Sequence, residues 1–492
     1  MIYFASILNI GIIKGKREIH IYLNKTKERE IKLASKLNYS TYYVVGTIRD
    51  RVNMRTSQPR LLCPSGGSHT INHKMSTMQA VVFQGPLKVT LEQRPVPQIE
   101  EPTDVIVKVR YTALCGSELH VFRGHQPSGT GFIMGHEFTG EIVEVGSAVR
   151  GFKVGDLVVS PFTVNCGECF YCARKCSSRC AKGKLYGSVM LDGGQADYAR
   201  VPSADATLVA APAAVDEKKL VLMADILPTG FFAARNAFKG MDRATIEEST
   251  VLLFGCGPVG LCALISALDY RPKHLIAVDS VPSRLELAKS LGAEPWNFQT
   301  DAEGLKQRVK DLTEGRGADV AIEVVGHSDA LRMAFDNLRP WGRISSIGVH
   351  NGEIPWTGNE AYGKNLQIQM GRCPVRSMYM PLGCIFEDAL EFLIRKQDSL
   401  GFMVGDIRPL SQAIQAGQVD LRKSSPRRLW ATLFGLMANM RRKISCLCLQ
   451  NDYYISARNL TIDQVFCPVI RIVNEGGCKC GGYMEDGEAE GE

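Results

Sequence analysis

The chain has 492 residues, 45% of them hydrophobic, which suits a globular protein of two or three domains. Its formal charge of +7 comes from Lys and Arg residues scattered along the chain, which argues against a nucleic acid partner. No apolar run reaches the roughly 20 residues that a membrane-spanning helix needs, which argues against a membrane partner.

The N-terminal segment shows no strong hydrophobic periodicity. Residues 1–13 are apolar, but no basic segment precedes them and no small-residue cleavage site follows, so they do not match a secretory signal. Glu18, Glu28 and Glu30 are acidic residues of a kind that mitochondrial transit peptides avoid. We therefore expect residues 1–77 to be a disordered extension, or an artefact of the gene model ahead of a true start at Met75 or Met78.

From Met78 onward the sequence follows a β-rich pattern. Short alternating segments such as Gln79–Phe83 and Val105–Tyr111 predict strands, and Pro- and Gly-rich turns separate them.

Three side chains in this part form a candidate catalytic metal site. Cys115 begins the string Cys-Gly-Ser-Glu-Leu-His, His136 lies in a Gly-His-Glu string rich in glycine, and Asp225 lies in Asp-Ile-Leu-Pro-Thr-Gly. One Cys, one His and one carboxylate supply three ligands to Zn²⁺ and leave the fourth position open for water or substrate. Each residue alone is ordinary, since a single Cys is usually in the core and a single Asp is usually a helix cap.

Four cysteines form a second candidate metal site. Cys166, Cys169, Cys172 and Cys180 follow a C-x2-C-x2-C-x7-C spacing, and Cys176 is a spare thiol inside the same loop. Four thiolates occupy all four coordination positions of a tetrahedral Zn²⁺ and leave none for substrate, so the pattern predicts structural zinc. Free or disulfide-paired cysteines are the alternative, but such a cluster is more typical of a metal site in a reducing compartment, which predicts a cytoplasmic protein.

Between Val251 and Val349 the pattern changes to apolar strands separated by helices, which predicts a doubly wound parallel sheet. The predicted strands are Thr250–Phe254, His274–Val278, Val320–Val324 and Gly342–Gly348. The predicted helices are Val259–Ala267 and Ser283–Ser290.

A glycine-rich loop follows the first of these strands. Gly255, Gly257 and Gly260 form a G-x-G-x-x-G motif between strand and helix, where a dinucleotide pyrophosphate binds at the helix N-terminus. Asp279 ends the next strand, and its carboxylate would accept hydrogen bonds from the adenosine ribose and repel a 2′-phosphate. The motif therefore predicts NAD rather than NADP.

The hydrophobic periodicity of the sequence weakens toward the C-terminus. A helix is predicted at Phe386–Lys396, after an unusually long link at Ser377–Ile385. Residues 413–492 lack steady periodicity, so we expect an atypical, disordered tail with no closing strand.

Together, the Gly-His-Glu string, the four-cysteine loop, the catalytic Cys and the dinucleotide loop resemble the zinc-containing medium-chain alcohol dehydrogenase family. The resemblance covers roughly residues 78–412. Asp225 in its string looks like the branch that contains glutathione-independent formaldehyde dehydrogenases. The resemblance implies a GroES-like catalytic domain over 78–230, a Rossmann domain over 231–373 and a return to the catalytic domain over 374–412.

The resemblance also implies roles for further residues. Glu137 is an alternate zinc ligand, and Ser117 and His120 relay the alcohol proton to solvent. Phe162 lines the substrate pocket, and Thr229 and Val259 pack on the nicotinamide ring. The position of Arg284 is near the adenosine ribose, where an Arg could tolerate NADP.

The expected activity is hydride transfer between NAD and a small alcohol or aldehyde, in a homodimer or homotetramer. A polyol or amino-alcohol dehydrogenase of the same family is one alternative. A non-catalytic zinc- and nucleotide-binding relative with an altered C-terminus is another. A zinc-free quinone reductase would lack the metal ligands described above.

Overall fold

The computed structural model describes residues 10–14, 19–23, 77–350, 352–376, 385–405, 407–414 and 433–435. The chain divides into two units, Met1–Ile71 and Asn72–Glu492. The strands are β1 (Ile10–Lys14), β2 (Ile19–Leu23), β3 (Thr77–Gly85), β4 (Lys88–Pro95), β5 (Val105–Thr112), β6 (Phe138–Val145), β7 (Leu157–Ser160), β8 (Thr163–Val164), β9 (Lys184–Leu185), β10 (Tyr198–Val201), β11 (Val209–Ala210), β12 (Thr250–Phe254), β13 (His274–Asp279), β14 (Glu294–Asn297), β15 (Ala318–Glu323), β16 (Leu338–Ser346), β17 (Gln367–Met370), β18 (Ile407–Arg408) and β19 (Leu433–Gly435). The α-helices are α1 (Gly116–Phe122), α2 (Ala204–Thr207), α3 (Glu217–Leu220), α4 (Ile226–Ala237), α5 (Arg243–Glu248), α6 (Pro258–Asp269), α7 (Pro282–Ser290), α8 (Ala302–Leu312), α9 (Ser328–Asn337), α10 (Gly358–Lys364) and α11 (Ile385–Lys396).

In the N-terminal unit, β1 pairs with β2 as an antiparallel hairpin, with Ile12 opposite Ile21. Both strands are rich in Ile, which favours extended backbone. They lie inside the extension 1–77, for which the sequence predicted no regular structure. The other residues of that extension before Thr77 are outside the described part of the chain.

The first sheet of the larger unit contains seven strands. Its order is β11-β7-β6-β5-β19-β18, and β10 also pairs with β5. Alternating side chains of these strands form a buried core that includes Val107, Phe138, Ile142 and Val201. The hairpin β3–β4 and the short pair β8–β9 complete this β-rich part.

The prediction that no closing strand follows residue 412 is corrected by the structure. Strand β19 pairs antiparallel with β5, with Phe434 opposite Thr112, and parallel with β18. The strand lies inside a continuous apolar run, so no alternation of polar and apolar residues marks it in the sequence. The remaining residues of the predicted tail after 414, and the link 377–384, lie outside the described residues.

The second sheet has six parallel strands in the order β14-β13-β12-β15-β16-β17. This is the doubly wound order of dinucleotide-binding domains. The structure confirms the predicted fold class, with strands at or within a few residues of the predicted bounds. Two of its strands, β14 and β17, were not predicted.

Helix α4 connects the two sheets. It begins directly after Asp225 and packs along α6, where a Cβ on Gly230 would lie 2.6 Å from the backbone nitrogen of Ala263. The contact needs glycine because the two helix backbones approach so closely. This packing places the start of α4 beside the carboxyl ends of the parallel strands, where ligands bind in such sheets. Within the described residues, none of the helices is both long and apolar enough to cross a bilayer.

Candidate active site and cofactor site

The first candidate site is a group of four side chains, Cys115, His136, Glu137 and Asp225. One potential ligand atom of each lies within 4.8 Å of those of the other three. Cys115 Sγ is 3.8 Å from Asp225 Oδ2, and His136 Nε2 is 3.3 Å from the same oxygen. The fold thus brings together the three predicted zinc ligands and the predicted alternate ligand.

Local backbone geometry delivers each of these side chains to the site. Cys115 is the N-cap residue of α1, and Asp225 is the N-cap residue of α4 with φ −149° and ψ −64°. His136 follows Gly135, whose φ is +98° and whose position has no room for a Cβ, because that atom would lie 2.6 Å from the backbone nitrogen of Gln195. The glycine is therefore required for the turn that presents His136.

The charges in this group favour a bound cation. Burial raises the pKa of Glu137 to about 8, and the charge of Asp225 contributes. Burial also raises the pKa of the Cys115 thiol to about 11. Glu137 Oε1 is buried and has no hydrogen-bond partner. A divalent cation would offset the repulsion among these acidic groups, and a thiolate, an imidazole and a carboxylate are ligands that Zn²⁺ accepts.

Glu118 supports the site and was not singled out from the sequence. It is buried, its Oε1 accepts a hydrogen bond from the backbone N–H of His136, and the same oxygen lies 3.1 Å from His136 Nδ1. Its Oε2 accepts from the backbone N–H of Cys115 at 3.2 Å and from Gln195 Nε2 at 3.1 Å. A carboxylate on the far nitrogen of a metal-binding imidazole fixes its tautomer and orientation. The sequence signal was a capping box, with Glu118 three residues after Cys115.

Burial lowers the pKa of His136, but Cys115 and Glu118 outweigh that effect and raise the pKa well above its usual value.

Thr229 supports the third predicted ligand, because its hydroxyl donates a hydrogen bond of 2.7 Å to Asp225 Oδ1. Its neighbour Gly230 lies against α6, where a Cβ would be 2.8 Å from the carbonyl oxygen of Val259. The two residues predicted to pack on the nicotinamide ring therefore lie where α4 and α6 meet.

The predicted proton relay begins beside the metal ligands. Ser117 Oγ lies 3.3 Å from Cys115 Sγ and 3.5 Å from His136 Nε2. His120 is half-buried on the same helix, its ring centroid 5.9 Å from that of His125. Burial and the charge of His125 lower the pKa of His120, so its imidazole is neutral at neutral pH. Among the hydrogen bonds of the described residues, none joins Ser117 to His120.

The second candidate metal site is the four-cysteine loop. The Sγ atoms of Cys166, Cys169, Cys172 and Cys180 all lie within 4.8 Å of one another. Cys180 Sγ is 3.5 Å from that of Cys166 and 3.9 Å from that of Cys169. Backbone N–H groups lower the pKa of Cys169 to about 6, which favours a thiolate. Four convergent thiols without disulfides fit a closed zinc site.

The glycine-rich loop has the geometry of a dinucleotide site. Gly255 has φ of +96°, and a Cβ on Gly260 would lie 1.8 Å from the carbonyl oxygen of Gly255. A Cβ on Gly257 would meet nothing within 4 Å, so this position faces open space at the start of α6. The first glycine makes the turn, the third allows close packing and the second leaves room for a pyrophosphate.

Asp279 ends β13 at the same edge of the sheet. Its Oδ2 accepts a hydrogen bond of 2.8 Å from the backbone N–H of Cys256, which ties it to the glycine-rich loop. Arg284 Nη1 lies 3.5 Å from Asp279 Oδ2, so the two predicted ribose-side residues form an ion pair. The Arg284 charge is therefore partly neutralised by the carboxylate that was expected to exclude NADP.

Comparisons with known proteins agree with this arrangement. Residues 101–213 match the family model of the alcohol dehydrogenase GroES-like domain, and residues 258–381 match that of zinc-binding dehydrogenases. The zinc-type alcohol dehydrogenase B of Aspergillus flavus is 64% identical over 350 residues, which cover 70% of this chain and 80% of that protein. The structure of an alcohol dehydrogenase from Thermus sp. ATN1 is similar with a TM-score of 0.64 and 29% identity, covering 73% of this chain and 99% of that one.

The predicted branch is more distant. A glutathione-independent formaldehyde dehydrogenase of Pseudomonas aeruginosa is 37% identical over 271 residues, which cover 51% of this chain and 66% of that protein. Both domain matches, the long match at high identity and the shared fold lead to one assignment. The chain belongs to the zinc-containing medium-chain alcohol dehydrogenase family.

Proposed function

We propose that this member of the family transfers a hydride between a small alcohol or aldehyde and NAD. The observation that carries the proposal is the convergence of Cys115, His136 and Asp225 at the start of α4, next to the dinucleotide edge of the parallel sheet. Three ligands leave a coordination position for substrate, and the adjacent edge is where a nicotinamide would lie.

Zinc held by Cys115, His136 and Asp225 would supply a Lewis acid that lowers the pKa of an alcohol hydroxyl. Ser117 accepts the alcohol proton, and His120 on the same helix passes it toward solvent, with a bound hydroxyl group or water carrying the proton between the two side chains, which no direct hydrogen bond of the described residues joins. Thr229 and Val259 support the nicotinamide face. The four cysteines would hold a second, structural zinc that takes no part in the reaction.

The choice of NAD rests on the carboxylate of Asp279. It is 6% exposed, and its negative charge stands at the end of β13, where the adenosine ribose binds in folds of this kind. A 2′-phosphate at this position would be repelled by that charge.

We further propose a cytoplasmic homodimer or homotetramer whose partner is its small-molecule substrate. The nine described cysteines are all free, which fits a reducing compartment.

Replacement of one zinc ligand tests the proposal. Full-length wild-type protein should contain two zinc ions per chain and oxidise at least one member of a panel of short alcohols, formaldehyde and polyols with NAD. Cys115→Ser should retain one zinc and lose turnover, because the four-cysteine site is left intact. Cys176→Ser removes the exposed spare thiol and should retain both ions and activity. One zinc in fully loaded wild-type protein, or normal turnover by Cys115→Ser, would contradict the proposal.

A further inference from the structure

Arg372 lies beside the proposed catalytic cluster. It follows β17 after Gly371, whose φ of +138° turns the chain out of the sheet. The next residue, Cys373, is buried, and its thiol donates to the carbonyl of Pro228 at 3.5 Å. The backbone next to Arg372 is therefore fixed against the first turn of α4, three residues after Asp225.

The guanidinium of Arg372 faces an aromatic ring of the catalytic part of the chain. Its Cζ lies 5.9 Å from the ring centroid of Phe162. Phe162 is buried, and its backbone N–H donates to the carbonyl of Ala224 at 2.9 Å, immediately before Asp225. An arginine at this distance from an aromatic face is attracted to it, which orients the side chain toward the cluster.

Within the described part of the chain, the Arg372 guanidinium has no hydrogen bond and no ion pair. Other arginines of the same fold differ in this respect. Arg110, Arg200 and Arg308 each form an ion pair with a carboxylate. Among the described residues, Arg372 is thus a cation beside the proposed active site with no carboxylate at ion-pair distance, although the charge of Asp225 acts on it from farther away.

The charged neighbours of Arg372 include a second arginine, which favours an anion at this position. Burial by neighbouring atoms lowers its pKa, the charge of Arg179 lowers it further, and the charge of Asp225 acts in the opposite direction. An arginine stays protonated under these conditions, so the guanidinium keeps its positive charge. Arg372 is an exposed residue, so a ligand can reach its side chain.

We propose that Arg372 binds an anionic group of the substrate, so that the enzyme acts on alcohols or aldehydes that also carry a carboxylate or a phosphate. The inference rests on the proposed function and specifies its substrate class. A guanidinium pairs with either group through two parallel hydrogen bonds, and the Phe162 ring supports its plane. The anion would be held on the side of the cluster formed by Phe162, while the reacting hydroxyl lies at Cys115, His136 and Asp225.

Matched substrates test the proposal with the full-length, zinc-loaded enzyme. 3-Hydroxypropanoate is compared with 1-propanol, and glycerol 3-phosphate with glycerol, using NAD as oxidant. A hydrogen-bonded charge pair makes the charged member of at least one pair better in kcat/KM by about 10- to 100-fold. Arg372→Gln should lower that charged-to-neutral ratio by a similar factor, and Arg372→Lys should keep part of it.

Arg395→Gln is a matched control. The Arg395 guanidinium also faces a phenylalanine, with Cζ 5.5 Å from the ring centroid of Phe392, but it pairs with Asp269 away from the site. This change should leave the ratio unaltered. An equal fall of the ratio in both variants would show that Arg372 has no specific role.

Dinucleotide binding provides the second measurement, because the NADH pyrophosphate is another anion that Arg372 could meet. If Arg372→Gln weakens NADH binding by fluorescence titration and leaves the substrate ratio unchanged, the proposal is overturned. Equal kcat/KM for charged and neutral substrates in the wild type also overturns it, while the dehydrogenase function stands. If the wild type oxidises none of the four substrates, binding of 3-hydroxypropanoate to the zinc- and NADH-loaded protein is measured by calorimetry. Absence of binding would overturn the proposal for Arg372.

Discussion

The proton path proposed here depends on one half-buried imidazole. His120 must be neutral to accept a proton, and burial together with the charge of His125 lowers its pKa below the usual 6.5. A lowered pKa keeps the base neutral down to a lower pH, so activity should fall only as pH decreases through values below 6.5. His125 thus extends the pH range of the relay through its charge, and its hydrogen bond to His120 is a backbone one, from its N–H to the His120 carbonyl oxygen at 2.9 Å.

We predict that His125→Gln shifts the acid limb of the kcat/KM profile toward higher pH. The ring centroids of His120 and His125 are 5.9 Å apart. Removing the positive charge of His125 raises the pKa of His120, because a like charge disfavours the protonated imidazole. The pH dependence of kcat/KM measures this shift directly. His274→Asn changes a histidine at the start of β13, at the opposite end of that strand from Asp279, and should leave the profile in place. An unchanged or oppositely shifted limb in His125→Gln would remove His120 from the path.

The convergence of Cys115, His136 and Asp225 could be predicted from the sequence because Cys, His and Asp carry their chemistry in their side chains. Supporting residues could not be predicted in the same way. Glu118 contacts His136, 18 positions away, and Gln195, 77 positions away. Only the fold brings these groups together, so a sequence pattern shows Glu118 as a helix cap. Arg372 was missed for the same reason, since its partner ring is that of Phe162.

Among the elements, the loops after β15 and β16 are joined by a buried carboxylate. Glu323 Oε1 accepts hydrogen bonds of 2.7 Å from the backbone N–H groups of Val325 and Gly326. Its Oε2 accepts from Ser346 Oγ at 2.6 Å and lies 2.9 Å from His350 Nε2. Both loops lie at the edge where the dinucleotide is proposed to bind, so the hydrogen bonds of this residue shape that edge.

Glu323→Ala should destabilise the protein by about 3 kcal/mol, because several buried donors lose a charged acceptor at once. Thermal or chemical unfolding of the zinc-loaded protein measures the change. Glu314→Ala serves as control, since Glu314 is exposed and pairs only with Arg316 nearby. Equal stability of the two variants would mean that water replaces the lost contacts and that the loops do not depend on Glu323.

The central strands of the parallel sheet could be predicted because they are continuous apolar segments. The outer strands could not. β14 contains Pro295, which usually argues against a strand and is tolerated here at the sheet edge. β17 has only four residues, and β19 has three within an apolar run. β17 forms because it can pair with β16, and β19 because it can pair with β5. Neither strand has a sequence pattern that would identify it alone.

At the scale of the whole molecule, the parallel sheet ends in the edge strand β17, to which a second copy of the chain can bind. β17 pairs with β16 on one side only within the described residues, which leaves its other backbone groups without a strand partner. Apolar side chains are exposed on this strand and near it: Ile368 is 41% exposed, Trp341 63% and Tyr362 84%. A second copy related by a two-fold axis could pair with this edge and cover these side chains.

We therefore predict that light scattering in solution gives a mass of at least two chains, and that Ile368→Lys shifts it toward one chain. A charge on the edge strand would be desolvated in the pairing and would meet its own copy across the axis. Val189→Lys, at another exposed apolar residue of 65% exposure, should not change the mass. If the wild type is a monomer, or if Ile368→Lys keeps the wild-type mass, β17 is not the interface. The exposed side chains near this edge would then need another explanation, because Trp341 and Tyr362 contribute little to the core of a single chain.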